Sequence, residues 1–138
     1  MEKLVFIIDD DPVYLKFMQN HFRLLGGFKT EVYATGEEAL KNLSKEPFMI
    51  ILDHNLQEAT KNGIHYLKEI RRANNKIPVV YITGDTDPEL SKKVNNIGVE
   101  GFIIKDNAFL VYLRTVLDDI LSGKKKRSFL KSLFKIGS

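Results

Sequence analysis

Four short apolar runs divide the chain at regular intervals. They lie at 4–8, 48–52, 77–82 and 102–104. Continuous apolar runs of this length are typical of strands that are buried on both faces, as in a parallel sheet. A fifth segment, 28–33, alternates apolar and polar residues, which indicates a half-exposed edge strand. The pattern therefore predicts five strands.

Apolar residues at helical spacing fill the intervals between these strands. The predicted helices cover 12–25, a segment from Thr35 to Leu43, 64–70, 87–97 and 109–120. Three of them carry start signals, namely Asp-Pro at the first and fourth and a capping box at the second. Strands that alternate with helices predict a doubly wound α/β fold, with helices on both faces of a five-stranded parallel sheet.

Polar side chains stand where the predicted strands end. Asp9, Asp10 and Asp11 follow the first run, and Asp53 follows the run at 48–52. Ligands of open α/β sheets bind beyond the carboxyl ends of the strands, so these acids are expected to meet there. Clustered carboxylates repel one another unless a divalent cation joins them. The spacing therefore predicts metal-assisted phosphate chemistry, with Thr83 and Lys105 ending the later runs at the same edge.

The composition predicts one ordinary globular domain with a short extra segment. The chain has 138 residues, 43% of them hydrophobic, and no cysteine, which excludes disulfides and thiolate metal sites. Its first residues lead directly into a strand-like run without a signal peptide, and no apolar stretch approaches the ~20 residues of a membrane span. We therefore expect a cytoplasmic protein.

The net charge of +3 is unevenly distributed. Residues 122–138 contain six basic residues and no acid, whereas 1–121 is mildly acidic. We therefore predict a domain over 1–121 and a separate basic tail over 122–138. Within the tail, the residues Phe129, Leu130, Leu133, Phe134 and Ile136 share one helical face. A basic amphipathic helix at 124–136 would suit an anionic membrane surface (the inner one for a cytoplasmic protein), a docking site on a partner or on the domain itself, or a solubilising end.

The motifs at the strand ends resemble those of the receiver domains of two-component response regulators. The resemblance covers about residues 3–121. It rests on four segments: Phe6-Ile7-Ile8-Asp9-Asp10-Asp11-Pro12, Ile51-Leu52-Asp53 with Asn62-Gly63 downstream, Val79-Val80-Tyr81-Ile82-Thr83-Gly84, and Gly101-Phe102-Ile103-Ile104-Lys105. This similarity implies a flavodoxin-like sheet with the strand order 2-1-3-4-5.

The resemblance also implies a phosphoacceptor and a magnesium site. Asp53 would accept the phosphoryl group, and Asp10 would bind Mg²⁺ directly, with Asp9 binding it directly or through water. The backbone carbonyl of Asn55 would complete the protein ligands, which suits a cation that keeps several waters. Asp11 matches a variable position of the family and is expected to cap the first helix.

Further roles follow from the same resemblance. Thr83 would hydrogen-bond a phosphoryl oxygen and Lys105 would pair with another. Phe102 matches the switch aromatic, although a purely structural role on a short strand is an equal alternative. Asn55 and Asp85 lie two residues beyond Asp53 and Thr83, and would tune hydrolysis of the phosphoryl group.

The sequence departs from the family pattern at two loops. No proline follows the acceptor within Asp53–Lys61, and Gly63 falls about two residues late, so the loop is expected to be longer than usual. Asp106 replaces a proline that often follows a cis peptide bond. Because a cis bond before a residue other than proline costs ~2.5–4 kcal/mol, we expect a trans bond, with Asp106 capping the last helix.

The sequence thus favours a single-domain response regulator. A histidine kinase or phosphotransfer protein would donate phosphate to Asp53, and the output would be a contact with a downstream protein. No nucleic-acid partner is expected, because no recognition-helix module follows the domain. Such a protein is not a turnover enzyme, since it promotes only its own phosphorylation and dephosphorylation.

Two other functions stay open at this stage. A phosphatase of the haloacid-dehalogenase type would use Asp9 as nucleophile, with Asp11, Thr83 and Lys105 as partners. Against it, no acidic pair ends a later strand and the chain is short. A receiver-like scaffold that is never phosphorylated would instead explain the irregular loop after Asp53.

Overall fold

A computed structural model describes residues 1–56 and 61–123 of the chain. These residues form five strands, five α-helices and a short 3₁₀ turn. In chain order they are β1 Lys3–Ile8, α1 Pro12–Leu25, β2 Phe28–Tyr33, α2 Gly36–Lys41, the 3₁₀ turn Leu43–Lys45, β3 Met49–Asp53, α3 Gly63–Ala73, β4 Val79–Thr83, α4 Pro88–Ile97, β5 Gly101–Ile104 and α5 Phe109–Leu121. The predicted alternation of strands and helices is confirmed.

All five strands pair in parallel, in the order β2-β1-β3-β4-β5. The register aligns Ile8 with Leu52 and Thr83 with Ile104. The strands therefore end at the same level, and the residues that follow them lie along one edge of the sheet. The predicted doubly wound sheet and its strand order are confirmed.

Each face of the sheet has its own hydrophobic core, because side chains of a strand point alternately to its two faces. Phe6 and Ile8 of β1 pack with α2, α3 and α4, whereas Val5 and Ile7 pack with α1 and α5. The central strands are buried along their whole length, which explains why they are continuously apolar.

The predicted caps position the helices that begin at the carboxyl edge. The Asp11 carboxylate accepts a hydrogen bond from the backbone N–H of Val13 at 2.9 Å, and Pro12 stands at the first helical position. The Asp87 carboxylate and the Thr35 hydroxyl do the same for α4 and α2. Asp11 thus serves as the cap that the sequence predicted for it.

The domain boundary at residue 121 and the tail stay predictions. Helix α5 ends at Leu121 and a turn continues to Gly123. The predicted amphipathic segment 124–136 lies outside the described residues, as does 57–60 of the loop after Asp53. Among the helices that the structure describes, none combines the length and the apolar character needed to cross a bilayer.

Gly36, at the start of α2, leaves no room for a side chain. A Cβ atom on Gly36 would lie 2.3 Å from Cγ of Tyr66, a fully buried side chain of α3. We expect Gly36→Ala to lower the free energy of unfolding by about 2 kcal/mol, because overpacking a close-packed core forces neighbouring groups to shift. Urea unfolding followed by circular dichroism measures the change.

The matched control is Gly84→Ala, since no atom lies within 4 Å of the position of its Cβ. This variant is expected to be as stable as the parent within about 0.5 kcal/mol. Equal stability of Gly36→Ala and Gly84→Ala would show that the contact between α2 and α3 adapts without cost.

Candidate functional site

Three carboxylates gather at the carboxyl edge of the sheet. Asp9 follows β1 and Asp53 ends β3, the strand beside it. Both are buried, with 0% and 1% of their surface exposed, while Asp10 lies at the rim. One carboxylate oxygen from each of the three lies within 4.8 Å of the others. The structure thus brings together the acids that the strand ends predicted.

Asp9 is held by donors on both carboxylate oxygens. Its Oδ1 accepts a hydrogen bond from the backbone N–H of Asp11 at 2.9 Å. Its Oδ2 accepts one from Nζ of Lys105 at 2.8 Å. Its backbone N–H donates to the carbonyl of Tyr33 at 3.0 Å. Asp9 is therefore held in place through both of its carboxylate oxygens and its backbone N–H.

Asp53 is held less completely. Its Oδ1 lies 3.1 Å from Nζ of Lys105 but has no hydrogen-bond donor in the described part of the chain, although it is buried. Burial, together with the charge of Asp9, raises the pKa of Asp53 to about 7, against smaller lowering effects from Lys105 and from the backbone N–H of Asn55. Asp53 is thus a buried carboxyl group whose charge is only partly offset by Lys105.

Lys105 reaches the acids from the end of β5. Its backbone N–H donates to the carbonyl of Thr83 at 2.7 Å, and its ammonium lies 4.4 Å above the ring of Tyr14, a cation–π contact. Burial alone would lower the pKa of Lys105, but the hydrogen bond to Asp9 and the charge of Asp53 outweigh it, so the pKa is raised. The ammonium therefore stays charged and faces two carboxylates.

The peptide bond that follows Lys105 is trans, as expected, since the described residues contain no cis bond. The prediction that Asp106 caps α5 is wrong. Its side chain accepts from the N–H of Ala108 at 2.9 Å, and Ala108 occupies the cap position without a side-chain bond. Asp106 thus closes the turn before α5, two residues ahead of the cap position at Ala108.

Thr83 lies at the end of β4, fully buried beside the strand that carries Asp53. Its hydroxyl oxygen accepts from the backbone N–H of Asp85 at 2.9 Å. Asp85 and Asn55 are both exposed at the same edge of the sheet. The two residues predicted to tune hydrolysis therefore lie in the loops after β3 and β4, where water has access.

Two contacts that the sequence did not predict connect His54, the residue after Asp53, with Phe102. Nδ1 of His54 lies 2.6 Å from the hydroxyl oxygen of Tyr81. The ring of Tyr81 stacks on Phe102, with centroids 6.0 Å apart and planes 13° apart. Phe102 is buried in this arrangement, with 5% exposed. The sequence contained a signal for Tyr81, because parallel pairing and the two-residue period of strands place it beside Phe102.

Gly63 lets this loop approach the strands closely. A Cβ atom there would lie 2.5 Å from the Tyr81 hydroxyl and 2.6 Å from the carbonyl of Asp53. The backbone N–H of Gly63 also donates to the carbonyl of His54 at 2.9 Å. The late glycine of the sequence thus still closes the loop against the acceptor strand.

The acid cluster fits a magnesium ion. Mg²⁺ takes oxygen ligands and is held by one or two carboxylates while it keeps several waters. Asp53 Oδ1, buried without a hydrogen-bond donor, is an oxygen whose partner a hard cation would supply. Asp10 and Asp53 would hold the ion directly, Asp9 directly or through water, and the backbone carbonyl of Asn55 would complete the protein ligands.

Comparison with known proteins agrees with this geometry. The sequence profile of the response regulator receiver domain matches residues 5–114. The transcriptional regulatory protein RprY of Bacteroides fragilis is 24% identical over 99% of the chain and 57% of its own length. The response regulator SaeR of Staphylococcus aureus is 27% identical over 72% of the chain and 42% of its own length. The chain thus spans about half the length of these curated relatives.

A solved structure shows the same fold. The chemotaxis protein CheY4 of Vibrio cholerae superposes with a TM-score of 0.74 over 86% of this chain and 98% of its own, at 23% identity. The match of the family profile covers most of the chain and includes Asp9, Asp10, Asp53 and Thr83. With its five-stranded sheet and its cluster of acids at the carboxyl edge, the chain belongs to the response regulator receiver domain family.

Proposed function

We propose that Asp53 accepts a phosphoryl group from a histidine kinase or a phosphotransfer protein, and that this modification changes the surface that the domain presents to a downstream protein. The observation that carries the proposal is the state of Asp53. It is buried among Asp9, Asp10 and Lys105, yet one of its oxygens has no hydrogen-bond donor. In this proposal the protein works in the cytoplasm.

The chemistry is a transfer between two nucleophiles. An oxygen of the ionised Asp53 carboxylate attacks the phosphorus of a phosphohistidine, so an O–P bond forms while the P–N bond breaks. The leaving imidazole nitrogen keeps the electron pair and then takes a proton. Mg²⁺, where it is bound, neutralises charge on the phosphoryl oxygens. The chain therefore contributes the nucleophile, the cation ligands and the alignment.

Two further side chains stabilise the phosphorylated state. The Lys105 ammonium, already 3.1 Å from Asp53, would pair with a phosphoryl oxygen as a point charge. The hydroxyl of Thr83 would turn away from the N–H of Asp85 and donate to another phosphoryl oxygen. Each contact forms only after phosphorylation, so each favours a second arrangement of the site.

Phe102 would transmit the change at Asp53 to the surface that a partner binds. The inward position of Phe102 rests on its stack with Tyr81, and Tyr81 is in turn held by His54, the neighbour of Asp53. A movement of the loop after Asp53 or of Thr83 would loosen this stack. The surface formed by α4, β5 and α5 would then change, which supports a downstream protein as the receiver of the signal.

The arrangement favours Asp53 over Asp9 as the nucleophile. Both oxygens of Asp9 accept hydrogen bonds, from Asp11 and from Lys105, whereas Oδ1 of Asp53 has no hydrogen-bond donor among the described residues. A phosphatase that uses Asp9 would have to break one of these bonds in every cycle. We therefore propose a domain that catalyses only its own phosphorylation and dephosphorylation, without turnover of an external substrate.

Phosphorylation at Asp53 is tested directly with a small-molecule donor. After incubation with acetyl phosphate and Mg²⁺, we expect one phosphoryl adduct by intact-mass spectrometry, located on Asp53 after borohydride trapping and digestion. Omission of Mg²⁺ should reduce the initial rate by at least about tenfold, because charge stabilisation supplies most of the catalysis of phosphoryl transfer.

The control variant is Asp53→Asn, which keeps the shape of the side chain but has no nucleophile. It is expected to fold and to form no adduct. An adduct on Asp9 with steady release of phosphate would replace the proposal by a phosphatase. A folded parent protein that acquires no adduct would indicate a scaffold.

The lifetime of the phosphoryl group depends on exposed side chains beside it. We expect Asn55→Ala to lengthen the half-life about fivefold, since its amide can hold the attacking water with a hydrogen bond worth about 1 kcal/mol. The backbone carbonyl of residue 55 is retained, so the initial yield should change less. Decay of the phosphoryl adduct, followed by mass spectrometry, measures the half-life.

Asp85→Ala tests the second position in the same assay, with the same direction expected. The matched control is Asn75→Ala, an exposed amide in the turn between α3 and β4. Its half-life should equal that of the parent. If Asn55→Ala decays at the parent rate, the side chain plays no part in hydrolysis.

The raised pKa of Asp53 makes stability depend on pH. Its pKa is about 7 in the folded protein and 3.8 ordinarily, so between about pH 4 and pH 7 the folded state binds more protons than the unfolded state. The free energy of unfolding must therefore fall as pH rises through this range. Replacement by Asn removes this loss, so the gain of Asp53→Asn relative to the parent should grow from near zero at about pH 4 to about 4 kcal/mol at pH 7.

Urea unfolding at a series of pH values, with and without Mg²⁺, measures this difference. Saturating Mg²⁺ should reduce it, because the ion favours the ionised carboxylate of the parent. Asp118→Asn, which removes an exposed acid from α5, controls for the loss of one charge. The same pH slope in the parent and in Asp53→Asn would contradict a raised pKa of Asp53.

A further inference from the structure

The aromatic ring of Tyr14 lies against the ammonium of Lys105, and the proposed function gives this ring no role. Nζ of Lys105 stands over the face of the ring, 4.4 Å from its centroid. The same ammonium donates a hydrogen bond to Oδ2 of Asp9 at 2.8 Å and lies 3.1 Å from Oδ1 of Asp53. Lys105 thus meets two carboxylates and one aromatic face at the site of the proposed reaction.

The backbone alone does not fix the place of this ammonium. Strand β5 ends at Ile104, and the backbone N–H of Lys105 donates to the carbonyl of Thr83, so the side chain starts from a fixed point. Beyond that point a flexible stem of methylene groups carries the ammonium. The contacts made by the end of the side chain must therefore decide where the charge stands.

Two of these contacts would change during the proposed reaction. A magnesium ion at the acid cluster would compete with Lys105 for the carboxylate oxygens of Asp9 and Asp53. Phosphorylation would convert the Asp53 carboxylate into an acyl phosphate and move its negative charge outward. The ring face of Tyr14 offers no oxygen ligand to the metal, so this contact persists while the other two are exchanged.

The ring of Tyr14 is itself held between two helices. It meets the ring of Phe109 edge to face, with centroids 5.4 Å apart and planes 84° apart. Phe109 is the first residue of α5 and has 2% of its surface exposed. On α1, the ring of Phe17 lies 5.5 Å from that of Tyr14 at an interplanar angle of 63°. Edge-to-face pairs favour a defined ring orientation, so Tyr14 is a rigid support for a flexible lysine.

We propose that Tyr14 is a positioning residue, whose ring face holds the Lys105 ammonium where a phosphoryl oxygen on Asp53 can reach it. This inference rests on the proposed function, because it gives Tyr14 a part in the reaction of Asp53. The side chain of Lys105 is 16% exposed, and a cation–π contact is stronger when the cation is shielded from water. The role belongs to the ring and not to the hydroxyl group.

A pair of substitutions at Tyr14 separates the ring from the hydroxyl. Tyr14→Leu keeps an apolar side chain between α1 and α5 but has no aromatic face, whereas Tyr14→Phe keeps the face. With acetyl phosphate and Mg²⁺, we expect the initial rate of adduct formation to fall about fivefold in Tyr14→Leu, equivalent to about 1 kcal/mol. Tyr14→Phe should stay within about twofold of the parent. Intact-mass spectrometry measures both rates.

Two comparisons distinguish positioning from packing. Phe28→Leu removes a half-buried aromatic ring from the same core, at the start of β2 and hence at the opposite edge of the sheet. This variant should react at the rate of the parent. In a Lys105→Met background, Tyr14→Leu should have no further effect on the rate, because the ring acts through the ammonium.

Nuclear magnetic resonance reports the contact without phosphorylation. The ε-methylene group of Lys105 is bonded to Nζ, so the ring current of Tyr14 should shift its proton signal upfield. In protein labelled with ¹³C-lysine, the signal is identified by its absence from Lys105→Met. We expect the upfield position to be kept in Tyr14→Phe and on addition of Mg²⁺ to the parent, and to be lost in Tyr14→Leu.

Four outcomes would overturn the proposal. Equal rates in the parent and Tyr14→Leu would show that the ring does not assist the reaction. The same loss of rate in Phe28→Leu, or in Tyr14→Leu within the Lys105→Met background, would assign the effect to packing. A Lys105 signal without an upfield shift would remove the contact itself. A parent that forms no adduct would overturn the proposed function and with it the role of Tyr14, while the upfield shift would still show the contact.

Discussion

The repulsion among carboxylates at one edge of the sheet is the constraint on which the site depends. Asp9 and Asp53 are both buried, and the ammonium of Lys105 lies close to both. This ammonium donates a hydrogen bond to Asp9, whereas Oδ1 of Asp53 has no hydrogen-bond donor among the described residues. The cluster therefore fits a divalent cation, which would offset the repulsion.

The sheet holds these carboxylates together in spite of their repulsion. Strands β1, β3 and β4 are almost entirely buried and apolar, and their parallel register fixes where each one ends. Because the backbone is held by hydrogen bonds on both sides and by a core on both faces, the acids cannot move apart to relieve their repulsion. The same parallel register places Thr83, and Lys105 directly after β5, at the edge of the sheet that carries Asp53.

The contacts around the site suggest how a local change would spread. The acceptor strand connects with Phe102 through His54 and Tyr81, all by direct contact. Gly63 holds the returning loop against the same tyrosine. A phosphoryl group on Asp53 would act both on Thr83 and on the contacts of His54, Tyr81 and Phe102, because Thr83 and Tyr81 are both in β4.

The sequence by itself determined the strands, the helices, their caps and the acids at the strand ends, because hydrophobic period and cap chemistry are local properties. Resemblance to a family then predicted the strand order and the roles of Asp53, Thr83 and Lys105. Only the tertiary structure decided the contacts between distant residues: the hydrogen bond of Lys105 to Asp9, the oxygen of Asp53 that lacks a donor, and the stack of Tyr81 on Phe102. It also placed Asp106 in the turn before α5 instead of at its cap. These features depend on the direction of side chains after the strands have paired, which no local pattern encodes.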